Sequence, residues 1–311
     1  MTTAPFALIR PGQGPQPTAM LAEREVPRHL HDLAAAAESF QIDEDLAEAV
    51  NVALSVGAPL LLTGEPGTGK TQLAYYLAWQ FGLLPEQPFT FEVKSNSVAR
   101  DLLYRFDTVA YFHDAQRKDG APIDKARFVE PGPLWRALKA IQGGSPAIVL
   151  IDEIDKAPRD FPNDLLHELD QYSFKVVETD VTIRSDRKAP PPVVIVTSNS
   201  EKRLPDAFLR RCIFHRVLFS EAVLREAVKA RRSLHHGHEA LNEAARVRFM
   251  ALRKQLESLQ HRPPATAEFL VWLAALQAKG ISAEALTNVP TGKLPLLSAL
   301  VKDSSARESL G

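Results

Sequence analysis

The sequence is short of cysteine: Cys212 is the only one in 311 residues. No internal disulfide can form, which fits a reducing compartment and leaves Cys212 as a small buried apolar side chain. Long apolar runs are missing too. No stretch approaches the roughly 18 consecutive apolar residues of a membrane span. The start of the chain has no basic segment leading into an apolar run, so a secretion signal is not expected and the expected location is the cytoplasm. Charge of one sign is also lacking: 37 Lys and Arg stand against 38 Asp and Glu, a net charge of -1. Global charge therefore draws the chain to neither nucleic acid nor an anionic membrane.

What is present suffices for a soluble globular protein, with 45% hydrophobic and 24% charged residues and enough length to bury a core. Pro5, Pro11, Gly12, Gly14, Pro15 and Pro17 make residues 1–37 a Pro/Gly-rich arm and leader. From Ile42 to Leu54 the apolar residues follow helical spacing, with Asp43 placed to cap the helix. Helices are then expected at 72–81, 134–141 and 161–171, alternating with apolar strands at 59–63, 89–93, 147–151 and 193–197. That alternation predicts an α/β fold, a parallel sheet between helices. Strand signals stop near residue 218. Helices expected at 221–232, 240–259, 266–278 and 294–301 predict a small helical domain, so the expected division is 38–218 and 219–311. Two stretches interrupt the core, at about 94–133 and 172–192; the second reads as a hairpin. Inserts of this length in a compact domain are usually functional.

Chemistry is concentrated at strand ends. Gly64-Glu65-Pro66-Gly67-Thr68-Gly69-Lys70-Thr71 matches G-x-x-x-x-G-K-[ST] between a strand and a helix. Its glycines let backbone N–H groups converge on phosphate oxygens, and the next helix aims its positive end at the same anion. Lys70 would meet the β- and γ-phosphates and Thr71 would bind Mg²⁺. The apolar run 147–151 ends in Asp152 and Glu153. There Asp152 would hold Mg²⁺ and Glu153 would polarise the attacking water of ATP hydrolysis. Asp155 and Lys156 follow with no catalytic assignment. Asn199 ends the run Val193–Ser198, where it would contact the γ-phosphate or the water, or serve as a turn residue. Arg210 and Arg211 read either as a solvated helix end or as an arginine finger reaching a neighbouring subunit's γ-phosphate.

These elements occur in the order found in AAA+ ATPases, where they would be Walker A, Walker B, sensor 1 and the arginine finger. The segment Phe128-Val129-Glu130-Pro131-Gly132-Pro133-Leu134 resembles the F-x-x-G-P-L segment of MoxR-type ATPases. The segment Leu204-Pro205-Asp206-Ala207-Phe208-Leu209-Arg210-Arg211-Cys212 and the hairpin at 172–192 are similar to that family as well. The resemblance covers about residues 38–280. It implies an AAA+ core with a helical lid, ATP/ADP and Mg²⁺ as cofactors, and a hexameric ring with Arg211, then Arg210, as the finger in trans. It also implies chaperone-like remodelling of a protein client with a partner carrying a von Willebrand factor A domain. The departure is the lid: Arg262-Pro263-Pro264-Ala265-Thr266-Ala267-Glu268 has no arginine where MoxR proteins carry sensor 2. Hairpin-bearing relatives include helicases, so a nucleic-acid motor is the main rival, and a nucleotide-gated scaffold with weak turnover is a third reading. His29, His31, His235, His236 and His238 read as solvated residues, as does the basic face of Arg225, Lys229, Arg231 and Arg232. Trp79, Trp135 and Trp272 read as core.

Overall fold

The computed structural model describes residues 32–117, 123–185, 189–230 and 237–311. The Pro/Gly-rich segment up to residue 31, with His29 and His31, and Arg231, Arg232, His235 and His236 lie outside the described residues. The chain forms two compact units. One contains Ile42–Glu65 and Lys70–Leu218; the other contains residues 32–41, Pro66–Gly69 and Phe219–Gly311.

The first unit is built on apolar strands. β1 (Leu60–Thr63), β2 (Phe89–Glu92), β5 (Ile148–Asp152), β8 (Val193–Ser198) and β9 (Ile213–Arg216) form one sheet in the order β2-β5-β8-β1-β9. Every pairing in it is parallel. Leu61, Val149, Ile151, Val194 and Val196 are buried on the main core, as expected of strands covered on both faces. Parallel strands bring their carboxyl ends to one edge, so the ends of β1, β5 and β8 lie side by side. Leu62 and Thr63 stand beside Thr197 and Ser198. Helix Glu44–Val56 is capped by Asp43, whose carboxylate accepts from Leu46 N–H at 2.8 Å, and Gly57 ends it at φ 67°.

Both inserts contain antiparallel hairpins. β3 (Tyr104–Phe106) pairs with β4 (Val129–Pro131), with helix Thr108–Arg117 between them, and β6 (Ser173–Val176) pairs with β7 (Val181–Arg184). They share a packing cluster: Tyr104 stacks on Phe174 at 6.4 Å between ring centroids, and Trp135 meets Phe174 edge-on at 5.8 Å. The Tyr104 hydroxyl also accepts from Val177 N–H at 3.2 Å.

The second unit holds helices Glu221–Ala230, Glu239–Ser258 and Thr266–Ala278 around Phe249, Phe269 and Trp272. Its buried Arg253 is satisfied: it bonds the Pro264 carbonyl, pairs with Glu257 at 3.2 Å, and lies 3.7 Å above the Phe219 ring. Among the described residues no helix is long and apolar enough to cross a membrane.

Several expectations are corrected. Residues 294–301 do not form one helix. Pro295 and the left-handed Leu296 (φ 55°) confine it to the 3-10 turn Leu297–Ala299. The helix at 161–171 is broken at Leu165 into Phe161–Asp164 and Leu166–Gln171. Trp79 is 40% exposed rather than core, whereas Trp272 is fully buried and Trp135 packs partly against the main core. Cys212 is half-buried; burial pushes its thiol up to about 12, so it stays protonated and unreactive.

Candidate functional site

β1 runs into Gly64, whose φ of 143° lies outside the range an L-residue adopts comfortably. A Cβ there would sit 2.3 Å from the Val217 carbonyl oxygen, a backbone atom held by the Val217 N–H bond to Thr63 O at 2.8 Å. The turn therefore requires glycine. Gly64→Ala should lower stability by about 1–3 kcal/mol and weaken nucleotide binding, checked by thermal melting and fluorescent-nucleotide titration; unchanged values would contradict this reading. Gly67 (φ 81°) and Gly69 (φ 94°) complete the loop before helix Lys70–Gln80. Lys70 is only 6% exposed, and its Nζ donates to the carbonyls of Gly64 and Glu65, each at 2.9 Å.

The end of β5 comes to the same place. Asp152 Oδ1 accepts the Thr71 hydroxyl at 2.9 Å and the Thr197 hydroxyl at 2.6 Å. Thr197 Oγ1 in turn accepts Glu153 N–H at 2.8 Å, so one hydroxyl links the β8 end to both acids. Burial raises the Asp152 carboxyl above the ordinary Asp range; the bonds from Thr197 and Thr71 oppose this, and the charges of Glu153 and Glu92 add to it. A cation beside Asp152 would relieve that cost. A hydroxyl and a carboxylate within 2.9 Å are the hard oxygen donors that Mg²⁺ takes. Among the described residues no group of three or more His, Cys, Asp or Glu side chains could hold a metal. An ion at Thr71 and Asp152 would thus draw its remaining ligands from water and substrate phosphates.

Compared with protein-family models, residues 59–212 match the AAA domain, dynein-related subfamily. Residues 59–212 have the fold of an AAA domain. No curated protein matches the chain.

The AAA domain contains the glycine loop, the two acids, Asn199 and both arginines. Glu153 has left-handed backbone (φ 59°, ψ 50°) and opens the 3-10 turn Ile154–Lys156. Its Oε1 accepts Asn199 Nδ2 at 3.0 Å, and its Oε2 is bonded by Lys156 Nζ. That carboxylate holds the Lys156 ammonium above the usual Lys range. Asp155, 2% exposed, ties the two strand ends together: Oδ1 accepts Asn199 N–H at 3.2 Å and Oδ2 accepts Glu201 N–H at 2.9 Å. The sequence alone assigns no role to Thr197, Asp155 or Lys156; the neighbouring ends of β5 and β8 bring them together.

Arg211 is 44% exposed, and its Nε pairs with Asp170 at 2.8 Å while Nη1 donates to Ala207 O at 2.9 Å. Arg210 is exposed; its backbone N–H donates to Asp206 O at 3.1 Å, and its side chain forms no hydrogen bond or ion pair among the described residues. The loop tip, Pro66–Gly69, belongs to the helical unit. There Ala267 N–H donates to Gly67 O at 3.2 Å, and a Cβ on Gly67 would lie 2.8 Å from Glu268 Oε2. Arg262 is exposed and pairs with Glu268 at 3.5 Å, so the side chain nearest the loop tip at this helix start is an acid.

Proposed function

We propose that the AAA domain hydrolyses Mg-ATP and drives remodelling of a protein client, in the manner of MoxR-type chaperones. The observation that carries this reading is the meeting of Thr71, Asp152, Thr197, Glu153 and Asn199 through consecutive hydrogen bonds at the carboxyl ends of β5 and β8. In this reading Lys70, with the backbone of Glu65, Pro66 and Thr68 and the three loop glycines, cradles the phosphates. Thr71 and Asp152 hold Mg²⁺, which neutralises developing phosphate charge when bound. Glu153 takes the proton of the attacking water, and Asn199 orients that water or the γ-phosphate.

Arg211, with Arg210 as the second candidate, completes the site from a neighbouring subunit, so a homo-oligomeric ring, a hexamer by resemblance, is the working form. The hairpins β3–β4 and β6–β7 are the elements that would pass motion to a client, with a von Willebrand factor A domain protein as partner. The chain's near-neutral charge supports a protein client over DNA. Turnover should be unaffected by single- or double-stranded DNA between about 50 and 200 mM salt, and a hydrolysis-deficient Glu153→Gln ring should retain the von Willebrand partner in a pulldown. DNA stimulation that falls steeply with salt would overturn the client reading.

A further inference from the structure

We propose that Asp170 is a positioning residue that ties Arg211 to the root of the β6–β7 hairpin, so that displacement of the hairpin is read as a change of hydrolysis rate in the neighbouring subunit. The inference rests on the reading of Arg211 as the finger in trans. At the hairpin root, Tyr172 joins both legs to helix Leu166–Gln171. Its N–H donates to Glu168 O at 2.9 Å, and its carbonyl accepts Ser185 N–H at 2.9 Å, next to the Ser173–Arg184 pair that closes the hairpin. Tyr172 holds left-handed backbone (φ 45°, ψ 47°), a costly conformation for a bulky residue that persists only where the surroundings over-determine it. Those surroundings are the main core, where Leu169, Tyr172 and Phe174 are all buried. The Tyr172 hydroxyl is buried with no hydrogen-bond partner among the described residues, a second cost accepted at the same point. A root held this firmly cannot absorb movement of the hairpin and passes it to the helix.

Asp170 sits on the last turn of that helix, and its Oδ2 accepts Arg211 Nε at 2.8 Å. The other tie of Arg211, from Nη1 to the Ala207 carbonyl, stays within its own turn. Among the described residues Asp170 is thus the only side chain that bonds Arg211. A guanidinium is planar and rigid, so the bond at Nε sets where the Nη2 edge points. Burial, with the charge of Asp170 added, pushes the neighbouring Tyr172 hydroxyl and Cys212 thiol each up to about 12, so neither carries a charge that competes for Arg211. The pair itself is half-exposed and contributes little to stability, so its removal disturbs position rather than folding. Misplacing a reacting group by about 1 Å can cost about 10²-fold in rate, so a small shift of the hairpin root suffices.

The test has two arms. The first measures ATP turnover and ATP binding in wild type, Asp170→Asn, Asp170→Glu, Arg211→Ala and the double variant Asp170→Asn/Arg211→Ala. Asp170→Asn should lower kcat about two- to fivefold, the range of an exposed ion pair, with the Kd for ATP unchanged. Glutamate should restore most of the rate, and in the Arg211→Ala background the asparagine should do nothing further. The second arm follows amide hydrogen exchange across residues 173–184 in the assembled protein with ADP alone and with ADP plus aluminium fluoride, a mimic of the transferring phosphoryl group. Coupling is reciprocal, so seating Arg211 on the mimic should slow exchange in the hairpin about two- to fivefold, and Asp170→Asn should abolish the slowing. A merely structural Asp170 would leave that slowing in place. A slow Arg211→Ala with hairpin exchange that ignores the mimic, or with slowing that survives Asp170→Asn, overturns the coupling and leaves the finger standing. Wild-type turnover in Arg211→Ala overturns the finger and the coupling with it.

Discussion

Glu153→Gln should lower ATP turnover about 10²- to 10⁴-fold, the usual contribution of a positioned general base, while ATP binding stays within about twofold of wild type. The substitution keeps the shape of the side chain. Gln can still accept from Asn199 Nδ2 through its carbonyl oxygen, so the turn Ile154–Lys156 has no reason to rearrange. The Thr197 bond to residue 153 is made by the backbone N–H and does not depend on the side chain. What is lost is the proton-accepting charge. Steady-state phosphate release with a parallel nucleotide titration separates the two effects. A rate within tenfold of wild type would mean that another group takes the proton.

The second large effect concerns the arginines. Arg211→Ala should bind ATP and assemble normally, yet hydrolyse about 10³-fold more slowly, as expected for loss of a charge that acts only in the transition state. The geometry suits this role. Asp170 takes Nε and the Ala207 carbonyl takes Nη1, which fixes the guanidinium plane and leaves Nη2 without a hydrogen bond among the described residues. A pre-oriented, half-exposed guanidinium costs little entropy to place on a phosphate. Arg210, exposed and unpaired among the described residues, lacks this support, so Arg210→Ala should cost far less. Equal rates for Arg211→Ala and wild type in an assembled ring would contradict the assignment, and a large loss in Arg210→Ala alone would exchange the two roles. Mixing Arg211→Ala with Glu153→Gln subunits adds a direct readout: each lacks a different part of the shared site, so partial activity should return.

Much of this was legible in the sequence, for reasons that differ from element to element. β1, β5 and β8 are runs of Leu, Ile and Val buried on both faces, and such runs announce themselves. β9 was missed because it is an edge strand whose residues alternate between half-buried and exposed, with Phe214 at 58% exposure, so Ile213-Phe214-His215-Arg216 carries no continuous apolar signal. The glycine loop and the acids after β5 are local patterns and could be read directly. The bonds joining them are not local: Thr197 and Asp152 lie 45 positions apart and meet only because β5 and β8 are neighbours. Asp155 and Lys156 carry no catalytic signal in the sequence; the left-handed Glu153 and the turn after it bury one and bring the other onto the carboxylate. Glu268 likewise reads as an ordinary first-turn acid until the fold sets it against Gly67, with its Oε2 accepting Ala265 N–H at 3.1 Å.

The most direct test is phosphate release from Mg-ATP per subunit, followed across a concentration series of the purified chain beside Lys70→Ala. The predicted result is turnover that rises as subunits assemble and disappears when the loop ammonium is removed. Turnover that is absent at every concentration, or that survives in Lys70→Ala, would contradict the assignment of ATP hydrolysis to this site.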